Sequence, residues 1–330
     1  SFVKSESEII TLFYDKFADI PLLSRMDAVA ETFIDEIETL LNRDLPEEER
    51  IPLIEKFQKM YETMDFYVLY NRFLKKEGYQ TLPRRPLEKR KLRYEDVYPV
   101  LYLKYRLSRQ AERSNIKHLV IDEMQDYSRL QYLIIRRMFS CKMTILGDRA
   151  QTMADQQQDV LQFLPGIFGK DLRRIEMRKS YRNTVEIASY AANLIGVTDL
   201  ELFERHGMPV LERDVTDLEA ALREAVDTLF SDEKTYETAA VIVPDEKTAE
   251  RAYLILREIL AEKDFDCGKR LSWLNRDSSS FKKGLTVTTF YLAKGLEFDQ
   301  VFSIFPKEEK REMMMQAQYI AATRALHELR

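Results

Sequence analysis

The densest chemistry in the chain lies between Ile116 and Ser128. There the apolar run Leu119-Val120-Ile121 stops at two adjacent carboxylates, Asp122 and Glu123, with Gln125 and Asp126 just beyond. A buried parallel strand that ends this way delivers acids into a crevice, which is where open α/β sheets place their sites. Two acids at such a tip suit phosphate chemistry: Asp122 to hold Mg²⁺ and Glu123 to activate an attacking water. Further on, Met143 to Gln151 repeats the form, a short apolar strand followed by Gly147-Asp148 and then Gln151. A neutral amide at a strand tip can bond a phosphate oxygen or the water without adding charge.

Three more stretches follow in order. Lys179-Ser-Tyr-Arg-Asn183 sets the aromatic plane of Tyr181 beside the guanidinium of Arg182. Leu285 to Asp299 is a β-rich run that breaks into the loop Lys294-Gly-Leu-Glu297. Gln318 to Ala325 reads as helical and presents Arg324. Together and in this order, the five stretches resemble the superfamily 1 helicases of the UvrD/Rep type. Asp122 to Asp126 is similar to their Walker B box and Gly147 to Gln151 to their third motif. Tyr181-Arg182 is similar to the fourth, Lys294 to Asp299 to the fifth, and Tyr319 to Ala325 to the sixth. Within that superfamily the chain most resembles the HelD (helicase IV-like) group, through Tyr94-Glu-Asp, Asp126-Tyr-Ser and Tyr291 to Asp299. The resemblance runs from about Leu92 to Arg330; residues 1 to about 90 carry no attributable motif.

The resemblance implies a partial tandem RecA-like P-loop NTPase fold: two α/β lobes with doubly wound parallel sheets and an α-helical N-terminal segment. Residues 1–91 would be a helical insertion or subdomain of the first lobe, 92–178 the rest of that lobe, and 179–330 the second lobe. It implies ATP and Mg²⁺ as cofactors. Asp122 would hold the metal, Glu123 would act as base, and Gln151 would sense the γ-phosphate. Arg182 and Arg324 would neutralise charge on the transferring group, Tyr181 would stack on adenine and Glu297 would reach the ribose. Lys294 and Gly295 would shape that loop. Thr288 and Thr289, with Arg84 and Arg85, are the expected contacts to nucleic acid. The implied parent is an ATPase and DNA helicase. A HelD-type role, remodelling nucleic-acid or RNA polymerase complexes, is favoured over UvrD/Rep-type DNA unwinding in repair. Two departures favour it: residues 152–157 hold no aromatic side chain, and the stretch from Arg182 to Leu285 is too short for the large domain UvrD and Rep insert there. A non-catalytic protein-binding module is the third reading.

One requirement of an ATPase is missing. A phosphate-cradling G-x-x-x-x-G-K-[ST] loop should precede the acid-bearing strand, yet Gly78 is the only glycine before Asp122. The chain is therefore expected to be a carboxyl-terminal fragment that is inactive alone. A final strand is expected to lie past its last residues.

The positioning elements can be read from spacing. Ser5-Glu-Ser-Glu8 suits a capping box, and Ile9, Ile10, Phe13, Tyr14 and Phe17 follow at helical spacing. Leu23 to Leu41 and Ile54 to Leu74 repeat the habit, and Pro46 with Glu47 to Glu49 marks a helix start. Strands are expected near Leu119, Thr144, Ala239, Thr286 and Val301, and helices at Thr184–Ile195, Leu218–Phe230, Thr248–Leu260 and Glu312–Leu326. A hinge should fall between Gly169 and Ser180. Alternation of strand and helix implies a parallel doubly wound sheet.

Composition limits the function classes. Of 330 residues, 45% are hydrophobic and 32% charged, an ordinary globular balance. Cys141 and Cys267 have no paired spacing, so neither a disulfide framework nor a cysteine zinc site is expected. No run is long enough for a membrane span, and a cytoplasmic location is expected. With a net charge of −5, contact with nucleic acid must rely on a local basic track, best met by Pro83 to Arg93.

Overall fold

The computed structural model describes residues 5–109, 115–148, 151, 159–215, 217–231, 236–263, 270–278, 283–306 and 312–330. The aromatic-free stretch after Gln151, Cys267 and part of the Ser278–Ser280 patch lie outside these. The chain divides into two compact units, one of residues 1–147 and 160–172, the other of 148–159 and 173–330.

The first unit begins helical. Helix α1 (Glu6–Thr11) starts at Ser5, whose hydroxyl and backbone form the reciprocal capping box with Glu8. Helices α2 (Arg25–Leu41) and α3 (Glu47–Gln58) enclose a small core of Phe13, Val29, Ala30 and Phe57. The helix expected to run from Ile54 to Leu74 is broken: α3 ends at Gln58 and α4 spans Phe66–Lys76. Asp65 causes the restart, because its carboxylate accepts from the amides of Tyr67 and Val68 as an N-cap. A second core joins Tyr67, Tyr70, Leu74 and Leu82 to Leu92, Val100 and Leu103, the last two on α5 (Tyr94–Leu107). Then β1 (His118–Ile121) pairs in parallel with β2 (Lys142–Ile145) across α6 (Arg129–Met138). With α7 (Val160–Phe168) they bury Ile121, Tyr132, Val160 and Leu164.

The second unit opens with a two-residue parallel pair, β3 (Lys179–Ser180) and β4 (Glu201–Leu202), around α8 (Val185–Leu194). After α9 (Leu218–Ser231) come β5 (Thr238–Val243), α10 (Glu246–Ala261), β6 (Leu271–Trp273), β7 (Gly284–Thr289) and β8 (Phe298–Ser303). Helix α11 (Glu312–Ala322) and β9 (Ala325–Leu329) complete it. The sheet is wholly parallel, in the order β6-β7-β5-β8-β9. Strand β5 shows why it is doubly wound. Ala239, Val241 and Val243 point into a core with α9 and α10, while Ala240 and Ile242 join the opposite core with Ile187 and Ala191 of α8 and Ala321 of α11. Period-two alternation thus buries both faces, and the strand reads as one apolar run.

One sequence expectation changes here. The last helix stops at Ala322 instead of Leu326, and Ala325–Leu329 form the strand β9. Leu326 and Leu329 are three apart, a helical spacing, and pairing with β8 overrides it.

Candidate nucleotide site

The strand-tip acids sit on β1. Its last carbonyl, Ile121 O, accepts from Leu146 N at 2.7 Å, and Met124 N donates to Leu146 O at 2.8 Å, so the turn after β1 is laced to the end of β2. Asp122 is exposed, and its Oδ1 accepts from Glu123 N at 2.8 Å. Glu123 holds φ +53°, a left-handed conformation that a non-glycine residue adopts at a cost of about 1–2 kcal/mol. Strain of this kind gathers at functional sites. Gln125 Nε2 donates to Glu123 Oε2 at 2.6 Å and so fixes the carboxylate's direction. Gly147 makes room for this turn, since a Cβ there would collide with Gln125 Oε1, Met124 Cγ and Met124 N. Beneath it the buried Tyr132 hydroxyl donates to Met124 O at 3.0 Å, and burial pushes that phenol up.

Among the described residues no group of three or more His, Cys, Asp or Glu could hold a metal. Mg²⁺ at phosphates usually takes one or two carboxylates and completes its shell with phosphate oxygens and water. An exposed carboxylate at a strand tip fits that use and does not fit a closed all-protein cage.

The second unit gathers residues from four separate stretches. Arg324 is only 1% exposed. It is not displayed on a helix as its sequence context implied; it lies past the end of α11 with its guanidinium enclosed. Its Nε donates to Ile320 O (3.2 Å), Nη1 to Leu296 O (3.4 Å), and Nη2 to Thr323 Oγ1 (3.0 Å) and Gln151 Oε1 (3.3 Å). A buried guanidinium persists only when its donors are satisfied in this way. Gln151 in turn donates to Asp148 Oδ2 at 2.9 Å, and the Tyr319 hydroxyl reaches the same oxygen at 3.3 Å. Burial, then the Asp148 charge, raises the Tyr319 phenol. Arg182 and Glu297 form an ion pair at 2.6 Å in which both side chains stay partly exposed. Gly295 bends the intervening loop with φ +81°; Lys294 beside it is half-buried. Tyr181 is 60% exposed and leans on Phe203, with ring centroids 5.6 Å apart and Lys179 Nζ over both rings.

Asn183, given no role by the sequence reading, is buried and donates to Thr323 O and Ala325 O. Its position next to Arg182 in a short polar motif was the available signal. Gln125, named in the sequence without a role, orients Glu123. The expected nucleic-acid contacts divide. Thr288 and Thr289 are 0% and 1% exposed, and the Thr288 hydroxyl is spent on Leu274 O, so neither offers a surface to a strand; as the last residues of the buried strand β7 they face the cores. Arg84 and Arg85 are exposed.

No curated protein sequence matches the chain. Among solved structures it is similar to the C-terminal domain of a possible DNA helicase from Lactobacillus plantarum WCFS1. That match has 24% identity over 46% of this chain and 84% of the other, with a TM-score of 0.36. It is also similar to the arterivirus nonstructural protein 10 helicase, at 14% identity over 81% of this chain and 50% of that one, with a TM-score of 0.32. A third is S. cerevisiae Dbp5 bound to RNA and ADP BeF3, at 14% identity over 86% and 67%, with a TM-score of 0.35. This chain spans half the length of the arterivirus protein. Residues 5–153, which include Asp122, Glu123 and Gln151, match the family model of the UvrD/REP helicase N-terminal domain.

Proposed function

We propose that the chain is part of an ATP-dependent superfamily 1 helicase-like motor of HelD type, one that couples nucleotide hydrolysis to remodelling of nucleic-acid or RNA polymerase complexes. One observation carries the reading. Gln151, Arg182, Glu297 and Arg324, far apart in sequence, converge in one unit through direct hydrogen bonds and an ion pair. The family-model match over residues 5–153 supports it.

In this reading Asp122 would hold Mg²⁺, which when bound would supply charge neutralisation for the phosphates. Glu123, aimed by Gln125, takes the proton of the attacking water at its carboxylate. Arg182 and Arg324 offset the charge that develops on the phosphoryl oxygens, a role worth roughly 10³–10⁵ in rate. Tyr181 offers a flat face to the base, and Glu297 accepts from the ribose. When nucleotide enters, Arg182 exchanges Glu297 for phosphate.

The nucleic-acid contact is assigned to the segment between α4 and α5. Asn71 clamps that segment through both polar atoms of its amide to Leu82, and Arg90 pins it by an ion pair to Asp65 at 2.6 Å while lying over the Tyr67 ring. Arg84, Arg85, Lys89 and Lys91 are exposed and form no ion pair among the described residues. A fixed backbone with unspent cations suits phosphates.

ATP hydrolysis decides the matter in two steps. The chain alone is expected to give no turnover, because its sequence holds no G-x-x-x-x-G-K-[ST] loop to fix the phosphates for in-line attack; contacts from the arginines to a γ-phosphate do not need that loop. Turnover above that of a Glu123→Gln control would overturn this. In a longer protein that supplies the loop, turnover should be stimulated by RNA polymerase. Strong stimulation by single-stranded DNA with no polymerase binding would reject the HelD assignment.

A further inference from the structure

We infer that Asn183 and Arg205 are positioning residues that lock Arg182 and Arg324 into a single rigid pair; the inference rests on the proposal that these two arginines face the terminal phosphate of a nucleotide. Asn183 directly follows Arg182 and is buried. Its Nδ2 donates to Ala325 O at 2.7 Å and to Thr323 O at 3.2 Å, the two carbonyls that flank Arg324. An amide nitrogen has two N–H donors, so both are committed to the carbonyls of the residues before and after one arginine. Arg205 comes from the segment after β4. Its Nη2 donates to the carbonyl of Arg182 and, at 2.7 Å, to Leu326 O. Two side chains therefore serve four carbonyls, at 182, 323, 325 and 326.

The brace has its own footing. Val185 N donates to Arg205 O at 2.9 Å, which seats the Arg205 segment against the start of α8. The Arg205 Nε is buried with no partner, so the guanidinium is placed by the carbonyls it serves at the expense of its own satisfaction. On the far side, the loop of residues 293–298 closes the frame: Phe298 N donates to Arg324 O at 2.9 Å, and Glu297 holds Arg182. The backbone segments that carry the two arginines are thus tied to one another by direct contacts, so the points from which both guanidinium groups reach out are fixed. A reacting group displaced by about 1 Å can cost on the order of 10²-fold, which is reason enough for a buried brace.

The test is equilibrium binding of Mg·ATP and Mg·ADP to the 330-residue chain, measured by calorimetry or NMR titration. The preference for ATP over ADP reads contacts to the γ-phosphate; affinity for ADP reads everything else. The chain should prefer ATP, and Arg324→Ala should abolish the preference. Asn183→Asp keeps the shape but removes the N–H donors. It should lower the ATP preference about tenfold or more, on the scale of a misplaced group, with ADP affinity unchanged. Arg205→Gln should do the same, and Arg205→Lys, which keeps a cationic donor, should restore much of the preference. If Asn183→Asp does not fold, the Arg205 pair decides. An ATP preference that survives Asn183→Asp and Arg205→Gln but not Arg324→Ala overturns the brace and leaves the nucleotide site standing. No ATP preference, or one that Arg324→Ala leaves intact, overturns both.

Discussion

The two acids and the two arginines stand on sheets of very different build. In the second unit β5 has hydrogen-bonded neighbours on both sides and apolar cores on both faces. In the first unit β1 and β2 pair only with each other among the described residues, and Val120 in the middle of β1 is 60% exposed. Parallel sheets are normally covered on both faces, and two strands alone are marginal. The acid-bearing tip therefore owes its shape to the side chains around it: Tyr132 under Met124, Gln125 against Glu123, and the space left by Gly147. The arginine-bearing frame is held by a full sheet with a backbone brace on top. The acid-bearing tip should accordingly be the more easily disturbed of the two.

Core truncation separates the two sheets most strongly. Ile242→Ala, at a side chain with 0% exposure, should cost about 2–5 kcal/mol, while Val120→Ala should stay within about 0.5 kcal/mol, as surface changes do. Urea denaturation of the two variants measures the gap; equal losses would mean that β1 is covered in solution and the contrast is false.

Gly147→Ala probes the thin sheet itself. The added methyl meets Gln125 and Met124, and overpacking of this sort costs about 1–3 kcal/mol. Amide hydrogen exchange should rise in β1 and β2 and leave β5, β7 and β8 unchanged. A uniform rise would show that the two sheets unfold as one.

The smallest effect concerns the margin of the thick sheet. A hydrogen bond from His206 draws the Glu186 carboxyl down from 4.5 to about 2. A carboxyl lowered on folding adds stability that is complete above its unfolded value and disappears as pH falls towards the folded one. Between pH 4.5 and 2, Glu186→Gln should lose stability less steeply than the parent chain; parallel curves would remove this contact from the account.

Much of this was legible in residue order. Apolar runs ending in Asp122-Glu123 and Gly147-Asp148 marked two strand tips, and the Ala239 to Val243 run marked the central strand, because strands buried on both faces lack polar alternation. The capping box at Ser5 was equally plain. What escaped depends on tertiary pairing. The segment from Ala325 to Leu329 has helical apolar spacing, and pairing with β8 makes it a strand. The break before Asp65 was hidden by continuous aromatic spacing. Arg324 was legible as a cation but not as a buried one, since burial depends on Gln151 and Leu296 arriving from elsewhere. Asn183 was marked only by its place beside Arg182, and Arg205 bonds backbone carbonyls, which carry no sequence signature.

The left-handed backbone at Glu123 has one more consequence. Glycine would relax that peptide, whereas glutamine keeps the same awkward geometry as the native acid. If Glu123 has the proposed role of base, position 123 is a built-in trade-off: the residue that would make folding easier is the one that would remove the base. Folding and the proposed turnover then pull in opposite directions at a single Cα.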